Sequence, residues 1–245
     1  MTQRHILIFI ISILIQFTAY AQEQETDKEK IQEQEIEIVP DSLKTKVSYG
    51  IRVGVDISKP IISFLEEDTK GFEITGDLRL SDNIYAAAEL GFEDVLKTED
   101  YLNYTTKGSF IKLGANFNAY ENWKGMDNQI YVGARYGFSF FEQTLNSYTP
   151  NMSGTYFITD PIEAGTNFKD LNAHWLEFLF GMKVETFKNL YLGMQFSVKK
   201  MITTKEPNNF KNLYIPGFNR VFSNDLGVGF NYTISYNIPL LNKFK

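Results

Sequence analysis

The chain has 245 residues and no cysteine, which rules out disulfides, thiolate zinc sites, cysteine nucleophiles and a lipidated N-terminal cysteine. Its formal net charge of −6, with no basic block to neutralise phosphates, argues against a nucleic-acid partner. The negative mean hydropathy excludes a bundle of membrane helices but admits a barrel, whose strands alternate polar and apolar residues.

The N-terminus reads as an export signal. Arg4 and His5 form a polar start, and Ile6 to Phe17 is almost entirely apolar. Ala19-Tyr20-Ala21 then gives the small-x-small pattern read by signal peptidase, with Gln22 as the mature start. The apolar run of about 12 residues falls short of the roughly 20 that a spanning helix needs. Residues 22–45 set Glu23, Glu25, Asp27, Glu29, Glu33, Glu35, Glu37 and Asp41 against Lys28, Lys30 and Lys44, with few large apolar side chains. Such a segment cannot bury enough surface to offset chain entropy, so a disordered or weakly helical periplasmic linker is expected. The expected organisation is a signal peptide at 1–21, an acidic linker at 22–45 and a barrel at 46–245.

From Lys46 the pattern switches to period two. Val47, Tyr49, Ile51, Val53, Val55 and Ile57 share one face, while Ser48, Gly50, Arg52, Gly54, Asp56 and Ser58 share the other. Helical spacing would scatter both sets, so this is a strand with one apolar face. Six further segments repeat the pattern: Gly71–Leu80, Ile84–Glu93, Phe110–Ala119, Ile130–Phe141, Trp175–Glu185 and Leu190–Lys199. The last strand is as clear, with Leu226, Val228, Phe230, Tyr232, Ile234, Tyr236 and Ile238 opposed to Asp225, Gly227, Gly229, Asn231, Thr233, Ser235 and Asn237. Pro239 cannot donate to a ladder and is expected to end it.

Alternation is also found in secreted sandwiches and lipocalin-like barrels. Length and loop rhythm favour a membrane. Strands of about ten residues exceed the roughly 5–6 of soluble sheets and match the 9–11 of membrane strands. Connections at 59–70, 94–107, 142–173 and 200–221 are long, those at 81–83 and 186–189 short, and 120–129 intermediate. Short turns on one side and long loops on the other is the outer-membrane arrangement, with an even strand number and both termini in the periplasm. The expected fold is all-β: a closed antiparallel transmembrane β-barrel of eight strands, or ten if Gly154–Thr159 supplies part of an extra hairpin. Aromatic girdles are expected from Tyr120, Trp123, Tyr131, Tyr191 and Tyr236 at the short-turn end and from Phe92, Phe140 and Phe222 at the other.

The energetics set which face points inward. A lipid-facing Arg or Lys at mid-depth costs about 2–4 kcal/mol. Arg52, Arg79, Lys112, Arg135, Lys183 and Lys199 are therefore expected in the lumen, with Asp56, Glu73, Asp77, Glu89, Glu93, Glu177, Glu185 and Asp225. The near balance of sign predicts an interleaved charge network filling a narrow lumen, the interior of eight strands being just wide enough for side chains.

Residues 46–237 resemble the small outer-membrane β-barrel proteins of the Bacteroidota, in particular a family of unknown function with this signal, acidic linker and barrel layout. The likeness rests on Tyr49-Gly50-Ile51-Arg52-Val53-Gly54-Val55-Asp56, Lys59-Pro60-Ile61-Ile62, Gly71-Phe72-Glu73-Ile74-Thr75-Gly76-Asp77-Leu78-Arg79 and Tyr85-Ala86-Ala87-Ala88-Glu89-Leu90-Gly91. The resemblance implies location and fold, and brings no activity. Gly229-x-x-Tyr232-x-Ile234-x-Tyr236 looks like the last-strand signal of the barrel assembly machinery, although the chain continues to Lys245. Asp41-Ser42-Leu43 matches the acceptor for periplasmic O-glycosylation in that phylum, which makes Ser42 a candidate modification site.

Catalytic features are sparse. His174 is the sole candidate base after signal removal; Leu176 stands where the lipid A deacylase pattern sets its serine, and Ser139, Ser153 or Ser223 would need to approach by tertiary folding. Asp160, Glu163 and Asp170 are oxygen ligands without calcium-loop spacing. No catalytic residue, metal site or cofactor is therefore expected. Three roles remain: a structural or interaction protein presenting Phe141–Ala173 and Lys200–Val221 outward, a small pore or transport accessory, and a lipid-modifying enzyme. The expected partners are outer-membrane lipid and, during insertion, the assembly machinery; a surface or periplasmic protein partner is not identified by the sequence.

Overall fold

The computed structural model describes residues 46–66, 68–99, 101–122, 126–150, 162–207, 211–222 and 224–244. The expected signal peptide and linker, with Ser42, Trp123 and Gly154–Thr159, lie outside them. In chain order the elements are β1 (Lys46–Asp56), α1 (Ser58–Leu65), β2 (Thr69–Arg79), β3 (Ile84–Glu99), β4 (Leu102–Asn118), β5 (Gln129–Tyr148), β6 (Ile162–Phe187), β7 (Leu190–Thr204), β8 (Tyr214–Ile215), β9 (Asn219–Arg220) and β10 (Leu226–Phe244).

Eight of these strands close into an antiparallel barrel in the order β1-β10-β7-β6-β5-β4-β3-β2; β8 and β9 form a separate hairpin. Among the described residues no helix is long and apolar enough to cross a membrane. A path across paired residues runs from Val53 through Gly76, Ala88, Leu113, Tyr136, Leu176 and Lys200 to Leu226, whereas Val53 itself pairs with Tyr236. This offset of about ten residues is the stagger that tilts the strands and lets a narrow barrel close.

The period-two pattern sorts the side chains. Leu90, Leu113, Val132, Phe178, Phe196 and Phe230 stand exposed on the exterior, while Arg52, Glu73, Glu89, Lys112, Arg135, Glu177 and Lys199 are buried within. A barrel in water would have no reason to expose a continuous apolar belt. Facing lipid, that belt is the favourable arrangement.

The structure corrects several details. The span 94–107 is a hairpin rather than a long loop: β3 and β4 stay paired through Thr98 and Asn103. Much of 142–173 is likewise strand, since β5 and β6 remain paired to Tyr148 and Ile162. Their polar continuation (Asp94, Lys107, Glu142, Thr144) shows why the pattern faded: beyond the bilayer no lipid selects an apolar face. The segment 59–70 contains α1, and 200–221 contains the end of β7 and the β8–β9 hairpin. Pro239 does not end β10. Gly50 pairs with Pro239 and Tyr49 with Leu241, so the proline sits at a register shift, where no ladder donor is required. Tyr131 and Tyr191 leave the expected girdle, because they share parity with Arg135 and Lys199 and are buried inside the barrel.

Candidate functional site

Side chains project into the lumen at every second position, and their charges alternate closely enough to pair across it. Toward the short-turn end, Asp77 lies between Arg52, with Nε 3.4 Å from Oδ1, and Lys183, with which it makes an ion pair. The Arg52 guanidinium stacks 4.4 Å over the Tyr191 ring, and Tyr131 donates to Gln195 Oε1 at 3.1 Å. Below them Arg79 reaches Asp127 in the β4–β5 loop, Nη1 to Oδ1 3.5 Å, and Tyr191 donates to the same carboxylate at 3.0 Å. Burial nonetheless pushes the Asp127 carboxyl above its usual range.

The central tier is built on Lys112. Its ammonium lies 2.8 Å from Glu89 Oε2 and 3.3 Å from Glu73 Oε1, and Arg135 Nε lies 3.3 Å from Glu89 Oε1. Arg135 also donates to the carbonyls of Ala115 and Ala134, each at 3.1 Å. All four side chains are buried, so each charge depends on its neighbours.

The outer tier recruits residues from outside the strand pattern. Lys59 on α1 turns into the barrel and pairs with Glu93, and with Glu73 Oε2 at 3.6 Å. Glu93 Oε2 accepts from Tyr214 OH at 2.9 Å and from the Gly217 amide at 3.1 Å. Lys199 donates to Gly217 O at 2.8 Å, and Trp175 Nε1 to Glu177 at 3.4 Å. Asp56 accepts from Asn231 at 2.7 Å and from the Ser58 amide at 2.9 Å, which ties the start of α1 to β10.

An apolar plug overlies these charges. Ile215 and Phe218 are fully buried with Trp175, packed among Phe110, Phe141, Leu171 and Met201. Phe218 meets the Trp175 ring edge-on at 5.7 Å between centroids. Pro216-Gly217 forms the tip: Phe218 N donates to Ile215 O at 3.0 Å and Gly217 has φ +79°, a turn that needs glycine at its third residue. Part of the 200–221 segment, expected to be presented outward, thus folds back into the barrel mouth.

Eleven of the twelve residues proposed for the charge network, Arg52, Asp56, Glu73, Asp77, Arg79, Glu89, Lys112, Arg135, Glu177, Lys183 and Lys199, lie on the lumen side. Asp225 does not. It sits in the turn before β10 at φ +56°, its side chain 68% exposed and 3.8 Å from Lys200, because strand parity does not extend into a turn. Lys59, Tyr214, Gly217 and Phe218 were missed. Pro60 in a first helical turn and the Pro216-Gly217 pair were the available cues for the local structure; neither says which way the segment folds.

His174 lies on the barrel's exterior, its Nδ1 2.8 Å from Tyr136 OH and its ring against Phe138. Ser139 is buried on the inside and donates to Ser109 O, so the wall separates it from His174. Ser153, Ser223 and Asp160 lie outside the described residues. Glu163 and Asp170 stand apart along β6, and among the described residues no group of three His, Asp or Glu side chains converges as a metal site would.

A family model described as Domain of unknown function (DUF6048) matches residues 4–243. No curated protein matches the chain. Among solved structures, it is similar to Ail, the attachment invasion locus protein of Yersinia pestis, at 10% identity and a TM-score of 0.35, over 80% of this chain and 99% of that one.

Proposed function

The chain belongs to that DUF6048 family, and we propose that it is a closed outer-membrane β-barrel with a structural or interaction role, acting through its outer rim rather than through its lumen. The observation that carries this reading is the filled interior. Ion pairs centred on Lys112 cross the lumen, and the Trp175–Phe218 plug covers them. A small solute would have to part buried ion pairs, each costly to break one-sidedly, at about 3–5 kcal/mol. Above the lipid belt the paired extensions of β3 to β6 form a polar sheet, the kind of surface a protein partner or neighbouring glycan can read. The position of His174 on the exterior, away from Ser139, weighs against a serine hydrolase mechanism.

The test is single-channel recording on the full mature chain reconstituted in planar bilayers. The reading expects no steady conductance. A stable open level, abolished when the lumen charges are altered, would make it a pore instead.

A further inference from the structure

Six of the eight seams carry their ladders far toward the outer end, but the two that involve β1 do not, because β1 is too short. Its pairing with β2 stops at Val55 opposite Ile74, and its pairing with β10 at Asp56 opposite Thr233. Beyond that point β2 continues to Thr69 against β3, and β10 back to Leu226 against β7, so both present an edge to a missing strand. Substitutes fill part of the breach. Ser63 of α1 accepts from the Gly71 amide at 3.1 Å, and Asn219 donates to Val228 O at 3.1 Å. A cleft of about 280 Å³ remains, lined by Lys59, Ile62, Lys70, Glu93, Lys97 and Phe230 among others.

The cleft lies at the outer edge of the apolar belt. Phe230 in its wall belongs to the exposed apolar belt, as do Phe72, next in sequence to the lining Gly71, and Val228, whose carbonyl accepts from the lining Asn219; Ile62 is an exposed apolar side chain on the helix. At its upper end the chemistry changes sign. Lys97 pairs with Glu66 at 3.5 Å and Lys59 with Glu93, whereas Lys70 has no ion pair among the described residues. A trough with Ile62 and Phe230 as its apolar wall, and with the Lys70 ammonium above among charged groups that are otherwise paired, is complementary to an amphiphile whose chain lies along Ile62 and Phe230 and whose anionic headgroup meets Lys70.

We propose that the breach left by the short β1 is a lateral binding site for a single anionic phospholipid-like molecule of the outer leaflet, held between α1, β2 and β10. The proposal rests on the membrane reading above. It makes α1 more than a cover: the helix forms one wall of the site, and Lys59 couples that wall to the lumen charges.

The experiment is native mass spectrometry of the full mature protein in nonionic detergent, titrated with phosphatidylglycerol or phosphatidylcholine of matched chains. Wild type is expected to retain one phosphatidylglycerol with saturable occupancy. Ile62→Trp, which fills the trough, should lower its affinity roughly tenfold. Lys70→Glu should weaken phosphatidylglycerol but not phosphatidylcholine, and Lys188→Glu in the β6–β7 turn should change neither. Glycerol phosphate alone should not compete, because the headgroup without its chain forfeits the trough. Non-saturating adducts of both lipids, or equal occupancy in wild type and Ile62→Trp, would overturn the site. Heat-shifted gel mobility checks that each variant folds. Flotation with liposomes is scored separately: a chain that fails to float overturns the membrane reading, whereas one that floats with unaltered lipid selectivity overturns the site alone.

Discussion

Replacing Lys112 by methionine tests the lumen most directly, since it keeps the length of the side chain and removes its charge. Lys112 bonds Glu89 at 2.8 Å and Glu73 at 3.3 Å with all three side chains buried. After the substitution Glu89 retains Arg135 at 3.3 Å, but Glu73 keeps only Lys59 at 3.6 Å. Leaving a buried charge without its partner costs about 3–5 kcal/mol, and the surviving neighbours place this case at the lower end, about 3 kcal/mol. Adding Glu73→Gln removes the stranded charge and should recover stability, with a coupling of about 1–3 kcal/mol in a double-mutant cycle. The assay is urea unfolding in lipid vesicles, followed by the heat-modifiable gel shift. A Lys112→Met loss below about 1 kcal/mol, or a double variant no better than the single, would refute the view that these charges hold one another in place.

Phe178 is 65% exposed midway along the apolar face of β6, so Phe178→Arg should cost about 2–4 kcal/mol in vesicles; a neutral result would mean that this face does not meet lipid. At Gly217, whose φ is +79° and where a Cβ would lie 2.5 Å from Phe110, Gly217→Val should lift the plug and destabilise the fold by more than about 1 kcal/mol, seen as faster tryptic cleavage after Lys211 and Arg220. Asp127 has a folded-state pKa raised by burial, so its contribution is present below the unfolded carboxylate pKa and is lost as pH rises through the folded value. Asp127→Asn should therefore gain stability over wild type near neutral pH and lose that advantage in acid; a gap that widens on acidification would show that its contact with Arg79 dominates.

How much could be read in advance follows from where the solvent imposes a pattern. Inside the bilayer, each strand position must answer to lipid or to the lumen, and a misplaced charge costs kilocalories. Arg52, Lys112 and Arg135 could therefore be assigned to the interior from parity alone, whereas the strand pattern allowed eight strands or ten and the ladder closes at eight. The same parity takes Tyr131 and Tyr191 out of the aromatic girdle, since they share a face with Arg135 and Lys199 on their strands, and residue type alone does not place an aromatic at the interface. Once the strands leave the membrane, both faces become polar and the period vanishes, which is why the extensions of β3 to β6 passed for loops. Asp225 shows the converse error, parity carried past the end of a strand into a turn.

The plug and the breach lie beyond any local signal. Ile215 and Phe218 form a short apolar pair in a loop, and their burial depends on Trp175, Phe110 and Leu171 from strands far away in sequence. Lys59 enters the lumen only because β1 stops one residue after Val55 and a helix turns inward to meet Glu93. The breach and the inward Lys59 share one cause. A barrel whose strands all reached the rim would have neither a gap for α1 to occupy nor a helical lysine to complete the outer charge tier. If the short β1 is the origin of both, then shortening α1 by removing its second turn should disturb the Glu93 contacts and the lateral cleft together, while leaving the Arg52–Asp77–Lys183 tier at the opposite end intact.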